Sequence, residues 1–216
     1  MQRLGVIVPS IPEFRRAWHY SPLINNVKES NIMIKINNIV EINLLRWLQS
    51  NVTKDKTRIG MFGIIKDGST CYGTNGRAMS FCSSKLLPSL PEKEGKQLFA
   101  VVKNTRKEII LIEEECDSIP TCAGVIPERW VRIDDIPQAK AHPASWICKL
   151  AYKHAFFDLS IMLNAMPETI PFTPWEIESN EMSEDEEANT TKPFAIKIKD
   201  HTGLLIGFMA MPMKIN

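Results

Sequence analysis

The sequence predicts an α+β fold in which antiparallel sheets carry two packed helices. Several short segments alternate apolar and polar residues, as strands with one buried face do. Three of them are joined in turn by Asp67-Gly68 and Asn75-Gly76, dipeptides that tolerate positive φ and favour tight hairpins. Two other segments have helical apolar spacing, and strands follow each of them. This order is typical of antiparallel sheets with helices laid on them.

The first part of the chain is predicted to form a strand, a helix and a run of strands. The segment "NIMIKI" (31–36) alternates as a strand does, and "VEINLLRWLQSNV" (40–52) has the apolar spacing of a helix, with Ile42, Leu45 and Leu48 on one face. Three strands with two hairpin turns are predicted within "RIGMFGIIKDGSTCYGTNGRAMSFCS". Further strands are predicted at "QLFAVVK", "EIILIEE" and "RWVRI".

The second part is predicted to repeat this order. The segment "ASWICKLAYKHAFF" (144–157) is ambiguous between helix and strand. A helix is predicted at "DLSIMLNAM" (158–166), with Asp158 as N-cap and its end before Pro167. The segment "PFAIKIKD" alternates cleanly, and a Gly-containing turn leads to the closing segment "LLIGFMAMPMKIN", which is apolar on both faces.

Length and composition indicate a soluble globular protein. The chain has 216 residues, of which 44% are hydrophobic and 24% charged. We expect an N-terminal extension (1–30) and one domain (31–216) made of two βαβββ-type halves, about 31–135 and 136–216. No apolar run has transmembrane length and no signal peptide is recognisable, so we expect a cytoplasmic protein.

Charge is unevenly distributed although the net charge is only +1. The stretch "EIESNEMSEDEEA" (176–188) has seven acidic residues and no basic one, which leaves 26 basic and 18 acidic residues elsewhere. A basic body with a disordered acidic loop near 178–192 is therefore expected. The alternative is a solvated loop without any electrostatic task.

Sequence signatures of catalysis are missing. The chain contains no GxxxxGK[ST], GxGxxG, HExxH or GxSxG motif. Its four histidines are scattered, and its five cysteines, which include no CxxC pair, are predicted to be reduced structural thiols. Paired carboxylates occur in the acidic stretch, where they are expected to be solvated. We therefore predict no catalytic residue, no metal site and no cofactor.

Two short motifs resemble the bacterial DNA sliding clamp, the β subunit of DNA polymerase III. In "CYGTNGRAMSFC", Thr74, Gly76 and Met79 match the family's turn of Thr, an acid, Gly, two polar or basic residues and Leu, with Asn75 in place of the acid. The chain end "FMAMPMKIN" resembles the family's closing Met-Pro-Met strand, and the helix and two strands before it are also similar. The resemblance spans roughly 31–216, without any alignment at 83–155.

The resemblance implies a DNA-clamp-like fold and a non-enzymatic processivity or tethering factor in DNA replication and repair. In that family the two motifs line an apolar pocket that binds short linear motifs of DNA polymerases and repair proteins. Methionine suits such a pocket because its flexible side chain adapts to different apolar anchors. The pocket residues implied here are Thr74, Gly76, Arg77, Met79, Met211, Pro212, Met213 and Ile215.

The resemblance also implies contact between basic residues and the phosphates of double-stranded DNA, without sequence preference. A bacterial clamp chain has three such domains and closes a ring as a dimer. The present chain has room for one clear copy, so a ring would need several chains joined head to tail. The second predicted helix has no basic residue. The implied DNA-binding residues are Arg46, Lys54, Lys56, Arg58, Lys149 and Lys153.

Three hypotheses stay open at this point. The first is a clamp-like factor that encircles DNA, and the second is an adaptor or decoy on the same fold that binds protein partners only. The third is an unrelated α+β enzyme with its site in 83–155, using Cys116, Cys122 or His142.

Overall fold

The computed structural model describes residues 32–55, 57–116, 118–122, 125–133, 158–167, 170–181 and 193–212. Within these ranges the predicted α+β class is confirmed, because strands surround two helices in the expected order. In chain order the elements are β1 (Met33–Ile36), α1 (Ile39–Ser50), β2 (Ile64–Asp67), β3 (Thr70–Thr74), β4 (Ala78–Ser83), β5 (Lys96–Thr105), β6 (Glu108–Glu114), β7 (Trp130–Arg132), α2 (Leu159–Ala165), β8 (Glu176–Asn180), β9 (Phe194–Lys199) and β10 (Leu205–Ala210).

The strands form one antiparallel sheet in the order β1-β6-β5-β2-β3-β4-β10-β9-β8-β7. Strand β10 lies in the interior of this sheet, which explains why its sequence is apolar on both faces. It pairs with β9 on one side and with β4 on the other, where Met79 is opposite Met209. The boundary expected between the two halves, near residue 135, lies outside the described residues, as do the extension 1–30 and the ambiguous segment 144–157.

Helix α1 is stabilised by a cap at its N-terminus and by burial of its apolar face. The Asn38 side chain caps the helix, since its Oδ1 accepts hydrogen bonds from the Val40 and Glu41 amides at 2.9 and 3.3 Å. The helix packs closely on β3 at Gly73, where a Cβ atom would lie 2.0 Å from the Leu48 carbonyl oxygen. Only glycine permits this approach. The predicted apolar face is confirmed, and the buried apolar residues of the helix are Ile42, Leu44, Leu45, Trp47 and Leu48.

Apolar side chains bury both faces of the central strands. The larger cluster lies between the sheet and the two helices. The smaller one lies on the opposite face, where residues from the segment between β6 and β7 pack against it. The smaller cluster consists of Ile65, Tyr72, Met79, Phe81, Leu98, Ala195 and Met209, with Cys116, Ile119, Cys122, Ile126, Trp130 and Leu205 packed on it.

The acidic stretch begins in regular structure, since β8 ends at Asn180, close to the expected start of the loop near residue 178. Glu176 and Glu178 lie in β8, opposite lysines of β9. Lys197 Nζ is 3.0 Å from Glu178 Oε2, and Lys199 Nζ is 2.7 Å from the same oxygen and 3.3 Å from Glu176 Oε2. These carboxylates are paired rather than solvated, because the register aligns acidic positions of one strand with basic positions of the next. The rest of the stretch, 182–192, lies outside the described residues.

Candidate functional site

The turn between β3 and β4 is held by its own side chains. The Thr74 hydroxyl accepts a hydrogen bond from the Gly76 amide at 3.1 Å and donates one to the Ala78 carbonyl at 2.9 Å. Asn75 Oδ1 accepts from the Arg77 and Ala78 amides at 2.8 and 2.9 Å. A carboxylate could accept both bonds as well, which explains how Asn75 replaces an acid here. Gly76 has φ +83°, a value that favours glycine.

The end of the last strand lies directly beside this turn. The Met211 amide donates a 2.8 Å hydrogen bond to the Arg77 carbonyl, which continues the ladder beyond the pair Ala78–Ala210. Met211 is 38% exposed, Pro212 is half-buried and Arg77 is exposed. The two motifs of the sequence are therefore adjacent in space. Met213 and Ile215 lie outside the described residues.

Met79 lies under this surface rather than on it. It is 4% exposed and belongs to the smaller cluster, between Thr74 of β3 and Met209 of β10. Its side chain therefore packs the sheet on which the turn and the last strand rest. Among the described residues of this region, the most exposed methionine is Met211.

Two residues that sequence reasoning did not assign to the turn lie against it. A Cβ atom on Gly76 would lie 3.2 Å from Arg58 Nη1 and 4.0 Å from Met61 Sδ. Arg58 Nη1 is also 3.5 Å from the Asn75 carbonyl oxygen. The sequence predicts Arg58 as a DNA contact on account of its charge alone. Its position beside the turn depends on the loop after α1, for which the residue pattern carries no signal.

The turn also faces the start of α2. Asp158 Oδ1 accepts hydrogen bonds from the Ser160 hydroxyl and amide at 2.6 and 2.8 Å and from the Ile161 amide at 3.3 Å, which confirms the predicted N-cap. These bonds, the Ser160 hydroxyl first, lower the pKa of Asp158, and the positive charge of Arg77 lowers that pKa further. Arg77 thus carries charge at a place where the last strand and α2 meet the turn.

The predicted DNA-binding residues lie at different places in the structure. Arg46 of α1 is engaged by the β5–β6 hairpin, since its Nε donates to Asn104 Oδ1 at 2.9 Å and its Nη2 donates to the Thr105 carbonyl. Lys54 follows α1 and is exposed. The others are Arg58, placed at the turn, and Lys56, Lys149 and Lys153, which lie outside the described residues.

The cysteines that an enzyme would use are packed as apolar side chains. Cys116 and Cys122 are half-buried against the smaller cluster, and burial raises the pKa of Cys122. Burial also raises the pKa of Cys71 to about 12. A thiol with a raised pKa is a poor nucleophile at neutral pH. His142 lies outside the described residues.

No group of three or more His, Cys, Asp or Glu side chains in the described ranges is arranged to hold a metal ion. Neither helix in the described part of the chain is long and apolar enough to cross a lipid bilayer.

Comparison with protein-family models gives no match, and comparison with curated protein sequences gives none either. The structure is similar to solved structures of bacterial sliding clamps. The DNA polymerase III β subunit of Thermotoga maritima matches 92% of this chain and 69% of its own, with 12% identity and a TM-score of 0.45. The sliding clamp of Bacillus subtilis matches 91% and 67%, with 10% identity and a TM-score of 0.47. The Helicobacter pylori β clamp bound to a DNA ligase peptide matches 88% and 68%, with 10% identity and a TM-score of 0.46. These structures belong to the family that the two sequence motifs resemble.

Proposed function

We propose that this protein is a non-enzymatic, clamp-like tethering factor of DNA replication or repair that acts in the cytoplasm. It binds short linear motifs of DNA polymerases or repair proteins at the surface formed by the Thr74–Met79 turn and the Met211–Ile215 end. The observation that carries the proposal is the hydrogen bond between the Met211 amide and the Arg77 carbonyl, at 2.8 Å. It joins the two sequence motifs that resemble the clamp family.

This surface has apolar side chains, which suit an apolar anchor residue of a ligand, and a polar rim. Met211 is solvent-facing at 38% exposure, and Met61 Sδ lies near Gly76 of the turn. Flexible thioether side chains adapt to anchors of different shape. Arg58 and Arg77 supply positive charge beside them. A peptide with one large apolar side chain is therefore the ligand that this surface fits best.

Peptide binding tests the proposal directly. A fluorescein-labelled peptide with the clamp-binding motif of a bacterial DNA polymerase should bind the purified full chain, as measured by fluorescence anisotropy. Removal of 211–216 should abolish binding. Met211→Glu should weaken it at least about tenfold, because a carboxylate would be desolvated against the apolar anchor.

Val102→Glu is the matched control, since Val102 is 36% exposed and lies on β5, away from the turn. Its binding should equal that of the unaltered chain. Both Glu variants should keep the far-UV circular dichroism of the parent, because the two side chains are solvent-facing. Peptide binding that survives both the truncation and Met211→Glu would refute the pocket.

Tethering by encirclement requires several copies of the chain. A head-to-tail ring would give a defined oligomer in solution, and the loaded protein would remain on closed circular DNA and leave it after linearisation. Sedimentation equilibrium and a retention assay on circular and linear plasmid measure these two properties. A monomer that dissociates equally from both plasmids would rule out encirclement.

The second candidate is an adaptor or decoy that binds the same peptides without encircling DNA. It is favoured by α2, since residues 158–167 contain neither Lys nor Arg. A monomer that binds the labelled peptide and competes with a bacterial clamp for it would support the adaptor.

A further inference from the structure

The tip of the β5–β6 hairpin carries a compact group of positive charges. We define the hairpin-tip patch as Lys35, Arg46, Lys103, Arg106 and Lys107. Lys103 lies two residues before the end of β5, and Arg106 and Lys107 form the turn itself. The segment 96–107, which runs along β5 into the turn, contains no acidic residue.

In the part of the chain that the structure describes, one carboxylate is paired with these charges. Glu108, the first residue of β6, pairs with Lys35 at 3.0 Å and also with Lys103. Lys35 and Lys103 stay 59% and 50% exposed, so both ammonium groups still face solvent. The acidic residue of α1, Glu41, is buried and accepts hydrogen bonds from the Ser89 amide and hydroxyl instead. The patch therefore keeps a clear excess of positive charge.

Some side chains of the hairpin-tip patch are fixed by contacts with neighbouring groups and others are not. Arg46 is fixed against the hairpin by Asn104, whose amide in turn donates to Gln49 Oε1 at 2.9 Å. By contrast, no side chain or backbone group of the described residues pairs with the Arg106 or Lys107 side chain. Two free cations thus project beside three that are already ordered. The three ordered side chains lose little conformational entropy when an anion binds.

We propose that the hairpin-tip patch contacts the phosphate backbone of double-stranded DNA. Lysine and arginine at a protein surface bind this backbone without base recognition and release its counterions. The proposal deepens the DNA-contact part of the proposed function and rests on it, but it assigns the contact to a hairpin turn instead of a helix. It does not depend on the peptide pocket.

The test uses the full chain and a fluorescein-labelled DNA duplex at several salt concentrations. The double variant Arg106→Gln/Lys107→Gln should bind about tenfold more weakly, and the slope of log K against log salt should fall by about 2. Both residues lie in an exposed turn, so the variant should unfold at the same temperature as the parent. Two duplexes of unrelated sequence should bind equally.

The control variant Lys85→Gln/Arg129→Gln removes the same charge elsewhere. Lys85 follows β4, near the opposite end of β5, and Arg129 precedes β7 at the far edge of the sheet. Its affinity should change less than about twofold, because exposed charges farther away than the Debye length are screened. Equal losses in the two variants would assign binding to overall charge and overturn the proposal, as would a parent chain that fails to bind the duplex.

Two further measurements distinguish failure of the DNA contact from failure of the peptide pocket. The hairpin variant should bind the labelled peptide as the parent does, whereas Met211→Glu should lose the peptide and keep the duplex. If the peptide fails to bind but the duplex result holds, the pocket is wrong and the patch stands. An unlabelled RNA duplex that displaces the DNA at a lower concentration than unlabelled DNA does would overturn the assignment to DNA.

Discussion

The indole Nε1 of Trp47 donates a hydrogen bond to the carbonyl oxygen of Ala165 at 2.8 Å. Trp47 lies near the end of α1 and Ala165 is the last residue of α2, so one helix satisfies a terminal carbonyl of the other. Ser50 and Asn51 also donate to the Asn164 carbonyl, at 2.9 and 3.1 Å. The two helices are thus joined at their C-terminal ends by polar contacts in an otherwise apolar layer.

Trp47→Phe should destabilise the protein by about 1–3 kcal/mol, because it leaves the Ala165 carbonyl buried without its donor. Urea unfolding followed by circular dichroism measures the free energy of unfolding. Trp175→Phe is the matched control, since Trp175 is 69% exposed, and it should change that free energy by less than about 0.5 kcal/mol. Equal effects would show that the hydrogen bond contributes nothing.

Gly73→Ala should prevent α1 from packing on β3. A Cβ atom at this position would lie 2.0 Å from the Leu48 carbonyl oxygen, and backbone cannot yield as a flexible side chain does. We expect a loss of more than about 3 kcal/mol, or failure to fold. Gly95→Ala is the control, because no atom lies near its Cβ position, and it should cost about 1–2 kcal/mol through its positive φ alone. Thermal unfolding compares the two variants.

Asp158→Asn should change how the stability depends on pH. The folded pKa of Asp158 lies below its ordinary value of 3.8, first because of the Ser160 hydroxyl. The carboxylate therefore stabilises the fold fully above pH 3.8, and this contribution is lost as the pH falls through the folded pKa. The Asn variant keeps a cap but cannot titrate. Its melting temperature should fall less than that of the parent in acid, and parallel curves would contradict this account.

Lys197→Gln should cost about 1–3 kcal/mol, because it removes a mostly buried ion pair with Glu178 together with the contact to Trp130. Lys197 Nζ lies 4.1 Å from the centroid of the Trp130 ring, and the side chains of Lys197 and Glu178 are each 14% exposed. Lys93→Gln is the control, since Lys93 pairs with Glu113 at a 44% exposed position, and it should cost less than about 1 kcal/mol. Denaturant unfolding distinguishes the two.

Several features of the fold could be predicted because their causes are local. The turn at Asn75-Gly76 depends on a glycine that accepts positive φ and on an Asn side chain that bonds two residues onward. The cap at Asp158 likewise involves its own next residues. The end of β8 overlaps the loop expected near 178–192, because the charge of this stretch suggested a loop. The alternation of the strand, with buried Ile177 between Glu176 and Glu178, was the signal for its true extent.

The candidate site was predictable only in part. The sequence motifs resembled a family in which the turn and the chain end meet, and the bond between Arg77 and Met211 agrees with that meeting. The residue pattern did not predict that Arg58 lies beside Gly76, because the path of a loop depends on many weak contacts. The peptide pocket and the DNA contacts remain predictions for the experiments above.

By itself, the sequence determined the α+β class, the hairpin turns and the cap at Asp158, since each depends on residues a few positions apart. Only the tertiary structure decided which residues far apart in the sequence contact each other. It engaged Arg46 with Asn104, buried Met79 below the surface that Met211 exposes, and paired Glu178 with Lys197. Strand register and burial control such partners, and both are set by the cooperative packing of the whole sheet rather than by neighbours in the chain.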